Sequence, residues 1–445
     1  MGEAAKISLK AIGKQDTHLI SNDPEDSLFK YKLNQYSHFT KFYKSKVVVK
    51  PNDTPTWPFG ETIKVEFNPT NMGDLLSDMW IKLKLPGEVG GGNYPDQVSL
   101  HIIKSITMYV DEIKVEELTD DWNFIYNELY LSDTQRDAVQ LLTNSGFRYT
   151  YFTNGFTDDG NLGEEEYHRP YSALAGYNRE VLIPLHFFFS RRYKGSGDRH
   201  YFPLCSIYKQ KITFEINFHK TTFFTSPLRS YPITIPDFTI ITEEIKLIPE
   251  ERLYLTSSTH SFETGIASKH IQQRSEVNNR ILKTNFSTDK PVKILHWFYR
   301  QTEYEDENDN SKYEFRFNFA SSNFPFKSWL SSFFVIADKI NIYLNGEPAQ
   351  NISGDQNHRY FKYYTPYESG LNTPRTHIYT YNASLYPSIQ QRSGILDFSK
   401  IISDKSFIET RFQRNLDLSK TYEMHVYHIA YTRLEFRDGF MNIVY

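Results

Sequence analysis

The candidate metal-binding residues of this chain are concentrated in two acidic loops. Five carboxylates fall within residues 303–310, and a second acidic loop covers residues 158–166. Clustered carboxylate oxygens are ligands that calcium prefers, but neither loop has the spacing of an EF-hand. We therefore interpret both as solvated surface loops, the more common role of such charge runs.

Two histidines and one cysteine are the remaining candidates for metal or nucleophile chemistry. His425 and His428 lie three residues apart in a predicted strand. Because an odd spacing sends side chains to opposite faces of a strand, they are poor partners for one metal ion. Cys205 has no second Cys or His at ligand spacing and is interpreted as a small core residue. The sequence thus predicts no catalytic residue, no cofactor site and no metal site.

Short motifs with a known catalytic mechanism do not match this sequence either. Gly195-Ser196-Gly197 lacks the spacing of a nucleophile elbow, and the glycine run 90–92 is not followed by the residues of a phosphate-binding loop. We therefore expect a protein that is not an enzyme.

Four glycosylation sequons begin at Asn52, Asn285, Asn351 and Asn382. The motif is common by chance, and without a secretory signal we expect the sequons to be unused.

Composition places the chain among β-rich proteins of a reducing compartment. It has 445 residues, enough for two or three domains. Aromatic residues make up 16% of the chain, which favours pleated, half-buried surfaces. The net charge of −4 argues against a general nucleic-acid binder. A single cysteine excludes an intrachain disulfide, and the first residues lack both the apolar core of a signal peptide and the myristoylation pattern.

Two basic clusters interrupt this mildly acidic chain. Their members are Lys41, Lys44, Lys46 and Lys50 in one, and Arg191, Arg192 and Lys194 in the other. Either cluster could meet an acidic partner, but lysines on the edge of a sheet also block unwanted strand pairing. We predict solvated strand edges at both places.

The secondary structure predicted from the sequence consists mostly of strands. Between Phe59 and Pro86, apolar and charged side chains alternate at 63–67 and again at 81–85, which predicts two strands with one buried face each. Further strands are predicted at 211–218, 312–319, 339–344 and 424–436. Asn345-Gly346 predicts a hairpin turn. One helix is predicted after the capping box of Ser132 and Gln135.

In chain order, these segments resemble the double jelly-roll major capsid proteins of nucleocytoplasmic large DNA viruses. The resemblance covers nearly the whole chain and rests on these segments: Gln15–Leu19, Asp23–Glu25, Phe29-Lys30, Tyr36–Phe39, Phe59–Pro86, Trp122–Leu129, Pro203–Phe218, Asp237–Arg252, Pro291–Phe298, Leu344–Gly346, Ser393–Ile401 and Val426–Tyr445. The chain departs from the family's pattern at Asn34-Gln35, where a basic pair is usual, and at Arg392, where Pro is usual. Each motif is common alone, so their order carries the resemblance.

The resemblance implies an all-β fold of two consecutive eight-stranded jelly rolls, a double jelly roll, with a short helical insertion. It places an amino-terminal arm at residues 1–26, the first jelly roll at 27–255 and the second at 256–445. Phe59–Pro86 would be one strand pair of the first jelly roll. The implied function is that of a viral major capsid protein whose trimers form pseudo-hexameric capsomers and tile an icosahedral shell. The protein would lie in the virion, and in the host cytoplasm during assembly.

The partners that the resemblance implies are a homotrimer, neighbouring capsomers, minor capsid and penton proteins, and an inner membrane layer. Direct sequence-specific nucleic-acid binding is not expected. The polar arm 1–26 lacks periodicity, and we expect it to reach neighbours across the base of the capsomer. Two alternatives stay open. One is a scaffold protein of the same architecture that shapes the immature virion membrane; the other is a carbohydrate-binding or cupin-type jelly-roll protein, although a cupin needs a His-rich metal cluster that the sequence lacks.

Overall fold

The computed structural model of the chain describes most of the sequence from Phe39 onward. The described residues are 39–51, 55–86, 94–95, 97–142, 180–192, 201–227, 233–286, 288, 290–313, 315–321, 335–350, 357–388 and 393–444. The predicted arm 1–26 and the acidic loop 158–166 lie outside the described residues, as do the glycine motifs 90–92 and 195–197.

Among the described residues of the first half, eight strands form two four-stranded antiparallel sheets. The strands are β1 (Phe39–Val49), β2 (Thr62–Phe67), β3 (Leu75–Lys84), β4 (Ile103–Val110), β5 (Ile113–Thr119), β6 (Glu180–Pro184), β7 (Ile212–Phe218) and β8 (Asp237–Leu247). Sheet 1 has the order β1-β8-β3-β6, and sheet 2 has the order β2-β7-β4-β5. In both sheets, neighbours that are far apart in sequence lie side by side, as in a jelly roll.

The second half repeats this order. Its strands are β9 (His260–Arg274), β10 (Ile281–Asn285), β11 (Pro291–Gln301), β12 (Ala337–Leu344), β13 (Glu347–Gln350), β14 (Tyr379–Asn382), β15 (Leu396–Asp397), β16 (Phe407–Phe412), β17 (Tyr422–Arg437) and β18 (Phe440–Ile443). In sheet 3, β17 pairs with β9 and β11, and β11 pairs with β14 and β15; β18 extends the sheet from the end of β17. Sheet 4 has the order β10-β16-β12-β13. The predicted all-β double jelly roll is confirmed.

Helices lie mainly in the connections between strands. The α-helices are α1 (Val98–Ile102), α2 (Asp120–Leu129), α3 (Asp133–Leu142), α4 (Pro249–Ser257) and α5 (Thr365–Glu368), and a π-helix covers Tyr360–Tyr364. Short 3-10 helices cover Pro69–Asn71, Leu204–Ile207, Thr221–Phe223, Thr302–Glu305, Asn310–Lys312, Phe398–Lys400 and Ser403–Lys405. Among the described residues, no helix is long and apolar enough to span a bilayer.

The capping box before α3 has the predicted geometry. The Ser132 N–H donates to Oε1 of Gln135 at 2.9 Å, and the Gln135 N–H donates to Oγ of Ser132 at 3.3 Å. Two donors at the start of the helix are thereby satisfied. The hairpin at Asn345-Gly346 is also confirmed, with φ angles of +54° and +87° between β12 and β13.

The segment Phe59–Pro86 contains both predicted strands, but they do not pair with each other. β2 pairs with β7 in sheet 2, whereas β3 pairs with β8 and β6 in sheet 1. Val65 on β2 and Ile81 on β3 are both buried in the same core. The chain therefore crosses from one sheet to the other between these strands, because each strand must turn its apolar face toward the space between the sheets.

The predicted strand at 312–319 is wrong. The described part of this segment begins in a 3-10 helix and continues as turns and loop. Its alternating pattern hides a fully buried Arg316, whose guanidinium donates to the backbone carbonyls of Phe223, Tyr304, Asp306 and Asp309. The loop folds around this one guanidinium, which provides hydrogen bonds to those carbonyls. In a strand, the carbonyls would need backbone N–H groups of a neighbouring strand instead.

The core is shared between the two halves. One cluster of buried apolar residues lies within the second jelly roll, between sheets 3 and 4. The larger cluster fills the first jelly roll and continues into the second through residues such as Phe262, Phe298 and Tyr427. Burial across this contact makes the two jelly rolls one packed unit. The boundaries predicted at 26/27 and 255/256 stay predictions.

Candidate functional site

The contact between the two jelly rolls contains the chemically richest cluster of the described residues. Asp121 lies in the first turn of α2, whereas Arg300, Glu305 and His425 come from the second half. Nη1 of Arg300 lies 2.9 Å from Oδ1 of Asp121, and Nη2 forms an ion pair with Glu305. Nε2 of His425 lies 2.8 Å from Oε1 of Glu305. We call these four residues the inter-roll ion cluster.

The inter-roll ion cluster has the donors of a metal site but not its electrostatics. Asp121, Glu305 and His425 can each offer one ligand atom, and these atoms lie within 4.8 Å of one another. However, Arg300 contacts both carboxylates and is itself buried. Burial works to raise the pKa of Glu305, but the charge of Arg300 and the hydrogen bond from His425 outweigh it and lower that pKa. Because the Arg300 guanidinium already contacts both carboxylates and offsets one of their two negative charges, we interpret the cluster as an ion-pair network.

A second network lies beside the first and uses the neighbouring aspartate. The His219 ring is held between Asp120, with Nε2–Oδ2 at 3.0 Å, and Glu307, with Nδ1–Oε1 at 3.2 Å. Lys104 Nζ lies 2.7 Å from the same Glu307 oxygen. Burial opposes charge on His219, but the hydrogen bonds to both carboxylates raise its pKa. The hydrogen bond from His219 lowers the pKa of Glu307 to about 2.

These two networks correct the interpretation of the acidic loop 303–310. It is not simply a solvated loop, because Glu305 and Glu307 bind residues of the first jelly roll or of the contact. Glu303 lies at its more exposed end, 2.8 Å from Lys420. The loop therefore fastens the second jelly roll to the first.

A third polar contact is fully buried. Glu116 on β5 forms an ion pair with Arg191 and accepts hydrogen bonds from the N–H groups of Phe188, at 2.7 Å, and Ala267, at 2.8 Å. Arg191 also donates to the Gly265 carbonyl at 2.8 Å, so the pair reaches β9 of the second half. Burial raises the pKa of Glu116 despite these partners. The predicted solvated edge is thus wrong for Arg191, whereas Arg192 is exposed and Lys194 lies outside the described residues.

Aromatic packing surrounds these polar groups. The Trp122 ring on α2 lies 6.3 Å from the rings of His296 and Tyr427 on the outward face of sheet 3. Tyr130 Oη lies 2.8 Å from Nε2 of His296. Burial lowers the pKa of His296 to about 3, so its ring is neutral near neutral pH. This aromatic packing excludes water and fixes the orientation of α2 on sheet 3, so the contact between the two jelly rolls is rigid.

The histidine and cysteine predictions are confirmed. His425 points toward the inter-roll ion cluster, whereas His428 points to the other face of β17, where its ring lies 5.2 Å from that of His270. They cannot share one ion. Cys205 is buried, and this burial raises its thiol pKa to about 12.

Lys41, Lys44 and Lys46 of the first basic cluster lie on β1, an edge strand of sheet 1, as predicted, and Lys50 follows the end of this strand. The lysines do more than remain solvated. Lys44 Nζ donates to the Asn71 carbonyl at 2.5 Å, and Lys46 Nζ donates to the Glu66 carbonyl, so both reach across the open edge between the two sheets. They line a cleft of about 570 Å³ together with Lys211. Since the ammonium groups of Lys44 and Lys46 already bind backbone carbonyls of this chain, we interpret the cleft as a structural feature of the sheet edge and not as a binding site.

The asparagines of two of the four sequons lie in the described residues. Asn285 is exposed at the end of β10, whereas Asn382 is half-buried and donates to the Thr365 carbonyl at 3.3 Å. Asn52 and Asn351 lie outside the described residues. The sequence patterns did not single out Glu116, Asp121, His219 and Arg300, and they placed Arg191 on a solvated edge. The adjacent Asp120-Asp121 before an aromatic helix was a usable signal, since acidic residues are common in a first helical turn.

Comparisons with known proteins match both halves. Residues 27–247 match the family described as the major capsid protein N-terminus, and residues 251–441 match the family described as the large eukaryotic DNA virus major capsid protein. No curated protein sequence matches the chain.

Solved structures of viral capsid proteins have a similar fold. PBCV-1 VP54, in a crystal structure fitted into a reconstruction of the virophage Sputnik, is 15% identical, with 94% of this chain and 100% of that chain covered and a TM-score of 0.66. A quasi-atomic model of the PBCV-1 virus capsid gives the same identity and coverage, with a TM-score of 0.67. The Faustovirus major capsid protein is 13% identical over 94% of this chain and 93% of that chain, with a TM-score of 0.62. At these identities the likeness concerns the fold.

Proposed function

Because the chain belongs to the double jelly-roll major capsid proteins of large eukaryotic DNA viruses, we propose that it trimerises into pseudo-hexameric capsomers that tile an icosahedral shell. These relatives are structural proteins, in line with the expectation of a non-enzyme. The observation that carries the proposal is the repeat of one strand order, β1-β8-β3-β6 and β9-β17-β11-β14, within a single chain. Three such chains present six similar jelly rolls, and closed cyclic symmetry is the common way to join identical chains.

Rigidity of the single chain supports this proposal. A capsid subunit must keep its two jelly rolls in one relative orientation, because small errors in that angle add up over the many subunit contacts of a shell. Three features stabilise that orientation: the buried Glu116–Arg191 pair, the inter-roll ion cluster and the shared apolar core. Packed interiors resist continuous deformation, so the chain suits the role of a preformed building block.

The proposal includes a location and a set of partners. The protein would lie in the virion, after assembly in the host cytoplasm, and contact neighbouring capsomers, minor capsid and penton proteins and an inner membrane layer. Residues 1–26 would act as an arm toward neighbours, with jelly rolls at 27–255 and 256–445. Sequence-specific nucleic-acid binding is not part of the proposal, given a net charge of −4.

Size and shape of the purified full chain test the proposal. Native mass spectrometry should give a trimer, and negative-stain images should show particles with a hexagonal outline. A monomer at micromolar concentration, or a closed dimer, would overturn trimerisation.

Quantitative mass spectrometry of mature virions separates a capsid protein from a scaffold. A capsid protein should be among the most abundant virion proteins, and its absence there would favour the scaffold.

A further inference from the structure

Two buried histidines pack on helix α2 at the contact between the jelly rolls. The His186 ring, from the first jelly roll, stacks on the Tyr126 ring of α2 with centroids 4.3 Å apart. His296 of β11 lies 6.3 Å from the Trp122 ring of α2, and its Nε2 atom lies 2.8 Å from Oη of Tyr130, the residue after the helix. The two histidines are 8% and 0% exposed. One imidazole from each jelly roll therefore packs on α2.

A third buried histidine reaches the same contact through two phenylalanines. His101 of α1 is buried, and its ring lies 4.8 Å from that of Phe317 in the second half of the chain. Phe317 stacks in turn on Phe124 of α2 at 4.9 Å. The three histidines thus lie where separation of the jelly rolls would admit water.

The surroundings of these rings disfavour the protonated form. Burial lowers the pKa of His101, His186 and His296 to about 3 in each case. The charged groups that act on His186 are Arg191 and Arg192, and both lower its pKa further. Nε2 of His186 has no hydrogen-bond partner among the described residues.

The neighbours of the other two rings do not compensate a proton either. For His101, burial outweighs the hydrogen bond to the Gln97 carbonyl at 3.1 Å, and Arg316 and His219 lower the pKa further. The two nitrogens of His296 contact hydroxyl groups, and burial alone lowers its pKa. All three imidazoles are therefore neutral in the folded chain at pH 5 and above.

Other titratable groups at the contact offer little opposition between about pH 6.5 and 4.5. The pKa values of Glu305 and Glu307 are lowered, so both stay charged in this range. The pKa of His219 is raised, so it is charged throughout, and a proton on His425 is compensated by Glu305 at 2.8 Å. Burial raises the pKa of Glu116, so this one carboxyl takes up a proton and opposes the three imidazoles.

We propose that acidification opens the contact between the two jelly rolls, because His101, His186 and His296 can take up protons only when α2 separates from sheet 3 and water reaches their rings. A solvated imidazole has an ordinary pKa near 6.5, so each one raises the equilibrium constant for opening about 30-fold at pH 5. The opened form exposes aromatic side chains of α2 and sheet 3. In a shell, this opening would loosen the subunits in an acidified compartment. The device lies within one chain, so it goes beyond the proposed trimer and does not depend on it.

Amide hydrogen exchange of the full chain at pH 7.5 and pH 5 locates the opening. Labelling times are corrected for the pH dependence of amide exchange, and ionic strength is held constant. Protection of the α2 amides should fall about tenfold or more at pH 5, whereas β16 in the middle of sheet 4 should stay protected. Unchanged protection of α2 would overturn the proposal. Equal loss in α2 and β16 would also overturn it, because it would indicate unfolding of the whole chain.

Two variants that cannot be protonated test the histidines themselves. His186→Phe keeps a ring on Tyr126, and His296→Gln keeps hydrogen-bonding groups beside Tyr130. Each should reduce the acid-induced loss of α2 protection about tenfold or more. Because the two substitutions are separate, the test does not depend on the folding of either variant alone.

His358→Gln is the matched control. Burial lowers the pKa of His358 as well, but its ring contacts the Asp338 carbonyl of β12 at 3.1 Å. This variant should lose α2 protection at pH 5 as the wild type does. A wild-type response in His186→Phe and His296→Gln, or an equal reduction in all three variants, would overturn the role of the histidines at this contact.

Discussion

Arg300 on β11 of the second jelly roll binds both carboxylate oxygens of Asp121 on α2 of the first, at 2.9 Å and 3.3 Å. Both side chains are buried, so this bidentate pair joins the halves where water cannot compete. A bidentate guanidinium–carboxylate pair fixes orientation as well as distance. The relative placement of the two jelly rolls therefore depends on a few buried charges in addition to apolar packing.

Removing the Asp121 charge should destabilise the joint. In Asp121→Asn, Arg300 keeps Glu305 but loses its bidentate partner, and an undercompensated buried charge costs about 3–5 kcal/mol. We expect the melting temperature to fall by several degrees in differential scanning calorimetry. Glu409→Gln is the control: its partner Lys283 is 59% exposed at 3.6 Å, and such surface pairs contribute about 0–1 kcal/mol. Equal shifts for both variants would contradict a special role of Asp121.

The Glu116–Arg191 pair should be more sensitive to the loss of one partner than of both. Arg191→Met leaves Glu116 buried without its cation, whereas Glu116→Gln/Arg191→Met removes both charges while the amide oxygen still accepts a backbone hydrogen bond. We expect the double variant to melt at a higher temperature than Arg191→Met alone. If the two substitutions are simply additive in a thermal melt, the charges do not interact as the contact implies.

The His219 network predicts a defined pH dependence. The pKa of His219 is raised in the folded state, so its stabilisation is present below its ordinary pKa near 6.5 and is lost as pH rises through the folded-state value. The pKa of Glu307 is lowered to about 2, so its contribution is present above its ordinary value near 4.5 and is lost as pH falls toward about 2.

A single variant separates the two contributions. His219→Gln removes the upper titration, so its melting temperature should change less than that of the wild type as pH rises from about 6.5 to 9. The measurement is a series of thermal melts at constant ionic strength. Parallel profiles for the two proteins in that range would rule out His219 as the titrating group.

The thiol of Cys205 should be inert in the folded protein. It is buried and its pKa is raised to about 12, so the reactive thiolate is scarce and inaccessible. Ellman's reagent should detect no thiol in native protein and one per chain in denaturant. The control is Val277→Cys, which should add one fast-reacting native thiol. Rapid labelling of the native wild type would contradict the packing around Leu204–Ile207.

Local patterns in the sequence were sufficient for several elements. The alternation at 63–67 and 81–85 predicted β2 and β3, Asn345-Gly346 predicted the hairpin, and Ser132 with Gln135 predicted the start of α3. These predictions succeeded because each depends on side chains within a few residues of one another. The order of such segments was also sufficient for the family resemblance.

The contacts of those elements became clear only in the folded chain. Alternation records that one face of a strand is buried but not which strand lies beside it, so β2 and β3 are in different sheets. The same limit applies to charge. Arg191 and the acidic loop 303–310 were predicted to be solvated, yet Arg191 is buried against Glu116 and Glu307 of the loop binds His219, partners that are distant in the chain. Arg316, in a segment predicted to be a strand, is also buried and donates to the distant Phe223 carbonyl. The sequence alone was sufficient to predict several of the strands and the family resemblance. The contact between the jelly rolls was not predictable in this way, because its opposite charges come together, away from water, only when the chain folds.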